Sequence, residues 1–297
     1  MSGETRVTLT GTGVPHPSPG RAGPGAMVRR GDVVLQFDAG RGTVLRMTEA
    51  GAAPPKMTAL FLTHVHSDHL VDVADVLLTK WIMQHLRRSA RPVVVAPDGH
   101  TADFVRRVFD IWADDIAVRR GHTGAEAPEI DLVVFPAPVE PTEVWVSDDG
   151  EVRVDAVAVH HEPVQGAVAY RVRTPEGVVV ISGDTRVCAE VEQFSRGASV
   201  LVHEACRATA LADAVRDTPF EHIFSYHADT VALGGLATRA GVEHLVLTHL
   251  IPPPTNPGEE RGFADDVRSG GWQGALTVGR DLDEFVLRDG RVEFGRR

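Results

Sequence analysis

Short apolar runs bounded by Gly, Pro and Asp turns alternate along the chain with longer stretches whose apolar residues recur at helical spacing. Residues 5–10, and the pair 27–30 and 33–38 turning at Gly31-Asp32, have the pattern of antiparallel strands. Thr43 to Ala50 reads as a short helix ended by Gly51, and Ala59 to Thr63 as a buried strand. From His69 to Arg88, the residues Leu70, Val73, Leu77, Trp81 and Ile82 form one stripe, which predicts a helix. Further strands are predicted at about 92–96, 131–135, 152–159, 167–173 and 177–182, with a helix near 101–113 and hairpin turns at Asp149-Gly150 and Glu176-Gly177. Residues 198–202 and 244–248 are buried runs that flank a helix at 228–240 closed by Gly241, and a last hairpin turns at Asp289-Gly290. The Pro- and Gly-rich stretch 251–274 reads as a surface loop, or else as a rim carrying Trp272 over a pocket.

Strand-rich halves that each carry helices predict an α/β fold of two packed sheets with helices outside, a four-layer αββα sandwich whose loops meet at one edge. With 297 residues, 43% of them hydrophobic, the chain can bury a large core, and no linker divides it, so residues 1–297 are expected to form one domain. A formal charge of −11 disfavours a nucleic-acid surface, which needs clustered Lys and Arg. The pairs Arg29-Arg30, Arg87-Arg88, Arg106-Arg107 and Arg119-Arg120 read as solvated faces. Cys188 and Cys206 sit in no CxxC pair and suit a reducing, cytoplasmic setting. The N-terminal residues lack the pattern of a signal peptide and no run reaches eighteen apolar residues, so no membrane partner is expected.

The chemistry concentrates in T-H-V-H-S-D-H, Thr63 to His69, between an apolar strand and an amphipathic helix. A loop leaving a strand projects His64 and His66 together, while Asp68 and His69 open the next helix. Imidazole nitrogen and carboxylate oxygen suit zinc, and these four residues supply donors enough to serve two ions. Taken alone, the segment could also be a metal-free polar turn. Three more candidates lie at strand ends: His161, Asp184 in V-V-I-S-G-D-T, and His249 after L-V-L-T. A carboxylate such as Asp184 can bridge two cations, which then lie roughly 3.5–4 Å apart.

On these residues the chain resembles the metallo-β-lactamase superfamily, whose HxHxDH motif is matched by His64, His66, Asp68 and His69. Within it the chain is similar to the ribonuclease Z-like and arylsulfatase-like branch, through G-T-G-V-P-H-P at 11–17, F-D-A-G-R-G-T at 37–43, S-G-D-T at 182–185, H-E-A at 203–205 and H-A-D-T at 227–230. The resemblance runs through nearly the whole chain. It implies one zinc on His64, His66 and His161, a second on Asp68, His69 and His249, and Asp184 as the bridge; the same donors could also take manganese or iron. His161 is preferred to His160 because H-E-P followed by Tyr170-Arg171 matches the family pattern, and adjacent strand-end residues face opposite ways.

The resemblance further implies that His227 is a general acid that protonates the leaving oxygen, as an imidazole of ordinary pKa near ~6.5 can do. Glu204 would orient it. The alternative is a His227 that only caps its helix beside an ordinary strand-end acid. The implied reaction is hydrolysis by a metal-bridging hydroxide, with Asp68 and Asp184 shaping the nucleophile's surroundings. The resemblance also implies that tRNA-maturing enzymes carry a protruding arm between the third-motif His and the bridging Asp. Here only 22 residues separate His161 from Asp184, enough for two strands and a turn. With the acidic charge, this points to a small phosphodiester, aryl ester or sulfate ester. A ribonuclease Z-like endonuclease acting on tRNA 3′ ends is the alternative, and a non-catalytic metal-binding protein a third reading. A homodimer is implied by analogy alone.

Overall fold

The computed structural model of the protein describes residues 3–87 and 90–295. Two mixed sheets face each other. The first has the order β15-β14-β1-β2-β3-β4-β5-β6, formed by β1 (Thr5–Gly11), β2 (Gly25–Arg30), β3 (Val33–Phe37), β4 (Ala59–Phe61), β5 (Val93–Pro97), β6 (Asp131–Phe135), β14 (Glu284–Arg288) and β15 (Arg291–Gly295). The second has the order β13-β12-β11-β10-β9-β8-β7, formed by β7 (Thr142–Val146), β8 (Arg153–Ala158), β9 (Val168–Thr174), β10 (Gly177–Ile181), β11 (Val200–Cys206), β12 (His244–Ile251) and β13 (Ala275–Val278).

The period of two along each strand decides which side chains fill which layer. On β4, Ala59 and Phe61 turn into the space between the sheets, whereas Leu60 and then Leu62 turn outward. Between the sheets, Phe37 stacks on Phe61 at 4.8 Å, and the ring of Tyr170 packs on both at 5.6 and 5.4 Å. Fully burying side chains of this size stabilises by roughly 1.5–3 kcal/mol each. The Tyr170 hydroxyl, which could not stay unpaired there, donates to the Leu62 carbonyl at 2.7 Å. Outside the first sheet lie α1 (Thr43–Glu49), α3 (Val73–Arg87) and α4 (His100–Arg106), covering Leu60, Leu62, Val94 and Ala96. Outside the second lie α6 (Ala189–Phe194), α8 (Thr230–Ala240) and α9 (Pro257–Ser269), covering Val180, Leu201, Leu245 and Leu247. The expected αββα layering is therefore present.

Several elements differ from expectation. The helix read from 69 to 88 is broken: α2 (Ser67–Leu70) ends before α3, and at the break the Asp72 carboxylate accepts the Gly42 amide at 2.7 Å. Arg88 falls outside the described residues. The helix expected near 101–113 is α4 plus a 3-10 turn at Asp110–Trp112, followed by α5 (Ala113–Thr123). The stretch 251–274 is neither a plain loop nor a rim, because α9 occupies it. Asn256 caps α9 by accepting the Gly258 and Glu259 amides at 2.9 and 3.0 Å. Trp272 is only 6% exposed, lies in the outer layer of the second sheet and donates to the Ala275 carbonyl at 3.2 Å. Between β11 and α8 lie α7 (Ala208–Val215) and a 3-10 segment at Pro219–Ser225. Among the described residues no helix is long and apolar enough to cross a membrane.

Candidate metal centre

The strands of both sheets release their loops at one edge of the sandwich, and three local features aim side chains into it. β4 is only three residues long, so the chain leaves the sheet early and α2 places Asp68 and His69 in its single turn. After β10, Gly183 adopts φ 59 and directs Asp184 inward. A side chain at Gly183 would bring its Cβ to 2.9 Å from Thr63 Cβ, besides the strain of that backbone conformation. On β12, Thr248 pairs with Glu204 and Leu250 with Ala205, so His249 is an extra residue bulged from the ladder with φ 44.

These features bring all seven proposed ligands together. His64, His66, His161 and Asp184 place one donor atom each within 4.8 Å of one another, as do Asp68, His69 and His249. Asp184 lies between the groups: its oxygens are 3.9 Å from His64 Nε2 and from His161 Nε2, and 3.3 Å from His69 Nε2 and from His249 Nε2. His160, by contrast, turns away, with Nδ1 3.0 Å from Glu162 and Nε2 3.3 Å from Glu190. Beside the cluster, His227 Nδ1 lies 3.0 Å from both carboxylate oxygens of Glu204, whose Oε1 also accepts the Thr185 amide at 2.7 Å.

The far nitrogens of His64, His69 and His161 are held by further groups, and sequence reasoning missed these. Asp38, in αL backbone at φ 54, approaches His69 Nδ1 at 2.7 Å and accepts both the Thr63 amide and hydroxyl at 2.8 Å. Thr63 Oγ1 is 2.9 Å from His64 Nδ1, and the Tyr226 carbonyl accepts from His161 Nδ1 at 2.9 Å. Each bond fixes a ring so that Nε2 points inward. Asp38 was visible inside F-D-A-G, but nothing in the sequence tells which ring it meets.

The electrostatics suit cation binding. Burial, then the neighbouring imidazoles, holds His64 well below the ordinary histidine range and lowers His66. Burial opposes ionisation of Asp184, yet His249 and His69 keep it well below the usual carboxylate range. Burial also opposes the charge on His227, but the adjacent Glu204 outweighs it and raises the pKa to about 9.

The donor set fits a metal on two counts. His64 Nε2, His69 Nε2 and Asp184 Oδ1 are buried without a hydrogen-bond partner among the described residues, a condition that is costly unless a ligand meets them. Donor atoms about 2.0–2.1 Å from a tetrahedral zinc lie roughly 3.3–3.4 Å from each other. Here His69 Nε2 and His249 Nε2 are each 3.3 Å from Asp184, His249 Nε2 is 3.4 Å from Asp68, and His161 Nε2 is 3.1 Å from His66 Nδ1.

A buried cage of imidazoles and carboxylates at the edge of an αββα sandwich defines a metal-dependent hydrolase. The chain belongs to the metallo-β-lactamase superfamily: residues 32–250 match the family described as the Beta-lactamase superfamily domain. It is 38% identical over 289 residues to "Ribonuclease Z" of Mycobacterium sp. (strain KMS), covering 96% of each chain. Among solved structures, the metallo-beta-lactamase fold protein YhfI from Bacillus subtilis superposes with a TM-score of 0.71 at 18% identity, over 95% of this chain and 99% of that one. The short form of human tRNase Z superposes with a TM-score of 0.63 at 18% identity, over 94% of this chain and 98% of that one.

Proposed function

We propose that the protein is a dinuclear zinc phosphodiesterase that cleaves RNA, a ribonuclease Z-like endonuclease acting at the 3′ ends of tRNA precursors. The observation that carries this reading is the complete set of seven donors and a His227–Glu204 pair in a chain similar along 96% of its length to a protein named Ribonuclease Z. The small-ester reading drawn from composition and spacing thereby becomes second. It keeps one supporting observation: His161 and Asp184 are joined only by β9, β10 and their short connections, and the chain is acidic.

In this reading His64, His66 and His161 would hold one ion and Asp68, His69 and His249 the other, with Asp184 a donor available to either. Bound zinc supplies Lewis acidity and lowers the pKa of water at the site. The chain's own residues do the rest. Asp38, Thr63 and the Tyr226 carbonyl hold the imidazoles in register, so the donors are positioned before an ion arrives. Asp68 and Asp184 are kept ionised by His249 and His69 against the effect of burial. Glu204 occupies His227 Nδ1, which leaves Nε2 to carry a proton to the departing oxygen.

Zinc-loaded protein incubated with a precursor tRNA bearing a 3′ trailer should release the trailer in one cut. Cleavage of bis(p-nitrophenyl) phosphate without cleavage of the precursor would favour the small phosphodiester instead. Inertness towards both, with metal bound, would defeat the two readings together.

A further inference from the structure

We infer that Tyr226 is a substrate-contacting residue, whose ring stacks on the nucleobase of the nucleoside attached through the departing oxygen. The inference rests on the reading of the substrate as RNA. Tyr226 precedes His227, and its ring centroid is 4.9 Å from the His227 ring and 5.5 Å from the His161 ring. It therefore stands beside both the acid and a donor of the first metal group, and it is only half-buried, which leaves part of the ring free for a ligand.

The backbone fixes that ring in place. The Tyr226 carbonyl accepts from His161 Nδ1 at 2.9 Å, and just upstream Ile223 and Phe224 pack on Val14, Cys206 and Ile251. The departing oxygen must lie within reach of His227, because that is where its proton comes from. The ribose bonded to that oxygen carries its planar base to the same side, and Tyr226 supplies an aromatic face there, beside His227.

Charge argues for ring contact over phosphate contact on this side of the site. The connecting segment carries two arginines, and both are paired: Arg207 Nε donates to Asp266 at 2.8 Å and Arg216 to Asp213 at 2.6 Å. Neutralising a nucleic-acid backbone needs cations to spare. Stacking on an aromatic face needs none and accepts every base.

The test compares cleavage of a precursor tRNA with that of the same RNA made abasic at the nucleotide on the departing-oxygen side. Zinc-loaded wild-type protein should lose roughly 5- to 150-fold in kcat/KM on the abasic RNA, the range of one base–aromatic stack. Tyr226→Ala should lose a similar factor on intact RNA and little more on abasic RNA, and Tyr226→Phe should restore the discrimination. Tyr226→Leu, which keeps bulk without an aromatic face, replaces the alanine variant if that one loses zinc. A structural role alone would lower both substrates alike and leave their ratio at the wild-type value. A wild-type ratio in Tyr226→Ala or Tyr226→Leu overturns the assignment, while wild-type protein inert towards RNA overturns the substrate reading and the assignment with it.

Discussion

Strand β12 carries a histidine near each end of the sandwich, and the two ends obey different rules. His244, at the lower end, is buried, has Nε2 2.8 Å from Thr277 Oγ1, and packs its ring on Phe285 at 5.0 Å. Near it the buried Thr5 and the half-buried Arg30 and Glu176 satisfy one another: Thr5 Oγ1 donates to Glu176 at 2.8 Å, and Arg30 Nε donates to the same carboxylate at 2.8 Å. His249, at the upper end, bulges from the ladder toward Asp68 and Asp184, in a cage where His64 Nε2, His69 Nε2 and Asp184 Oδ1 are buried without a hydrogen-bond partner among the described residues. A buried polar atom without a partner costs about 1–3 kcal/mol. His244 and its neighbours remove that cost within the protein, and the metal cage leaves it to be offset by a ligand.

Substitutions can break this contrast. The largest effect is expected for Asp184→Ala, which removes the group common to both halves of the cage. Bound zinc should fall below two per chain, and kcat should drop beyond the ~10–100-fold typical of losing an outer partner. Full activity with two ions retained would end the bridging role. Next comes His227→Ala, with an expected loss of about 10²–10⁴ in kcat, the contribution of a general acid, at unchanged metal content. A loss of metal alongside activity would make His227 a ligand instead. Asp38→Ala should weaken zinc affinity by ~10–100-fold, read by competition with a chelator, because His69 loses the carboxylate that holds its ring.

The smallest effect on activity is expected at the lower end. His244→Leu should leave turnover and metal content unchanged, while altering stability against pH. Burial pulls His244 down to about 4 from an ordinary value of 6.5, so the unfolded chain binds the proton more readily. The stability this histidine contributes is therefore full above pH 6.5 and is lost as pH falls towards 4. Melting temperatures at pH 7 and pH 4.5 should fall less in His244→Leu than in the wild type. An equal fall would place the acid sensitivity elsewhere, with the carboxylates of the upper end the first candidates.

The same contrast explains what could be read from the sequence. Six residues from His64 to His69 carry four donors, so their chemistry is local and legible. His161, Asp184 and His249 could be singled out because each follows an apolar run of the sequence, and the fold brings their donor atoms beside that segment. Asp38 could not be given a role, since its partner His69 lies 31 residues away and their meeting depends on β3 pairing with β4. The miss at 251–274 is of another kind. The Pro and Gly residues there suggested a loop, although Asn256 followed by Pro257 is a helix start and Phe263 with Val267 is a one-turn apolar pair on α9. α5 was hidden for the opposite reason: Ile116 is its one buried residue, so packing asked little of its sequence.

The central claim is that the upper end is completed by two metal ions. It is tested most directly by stripping the protein with a chelator, titrating zinc back calorimetrically and confirming the content by elemental analysis. Two ions per wild-type chain, with melting temperature rising as they bind, is the expected result. A chain that binds no zinc, or saturates at one ion, would contradict the account.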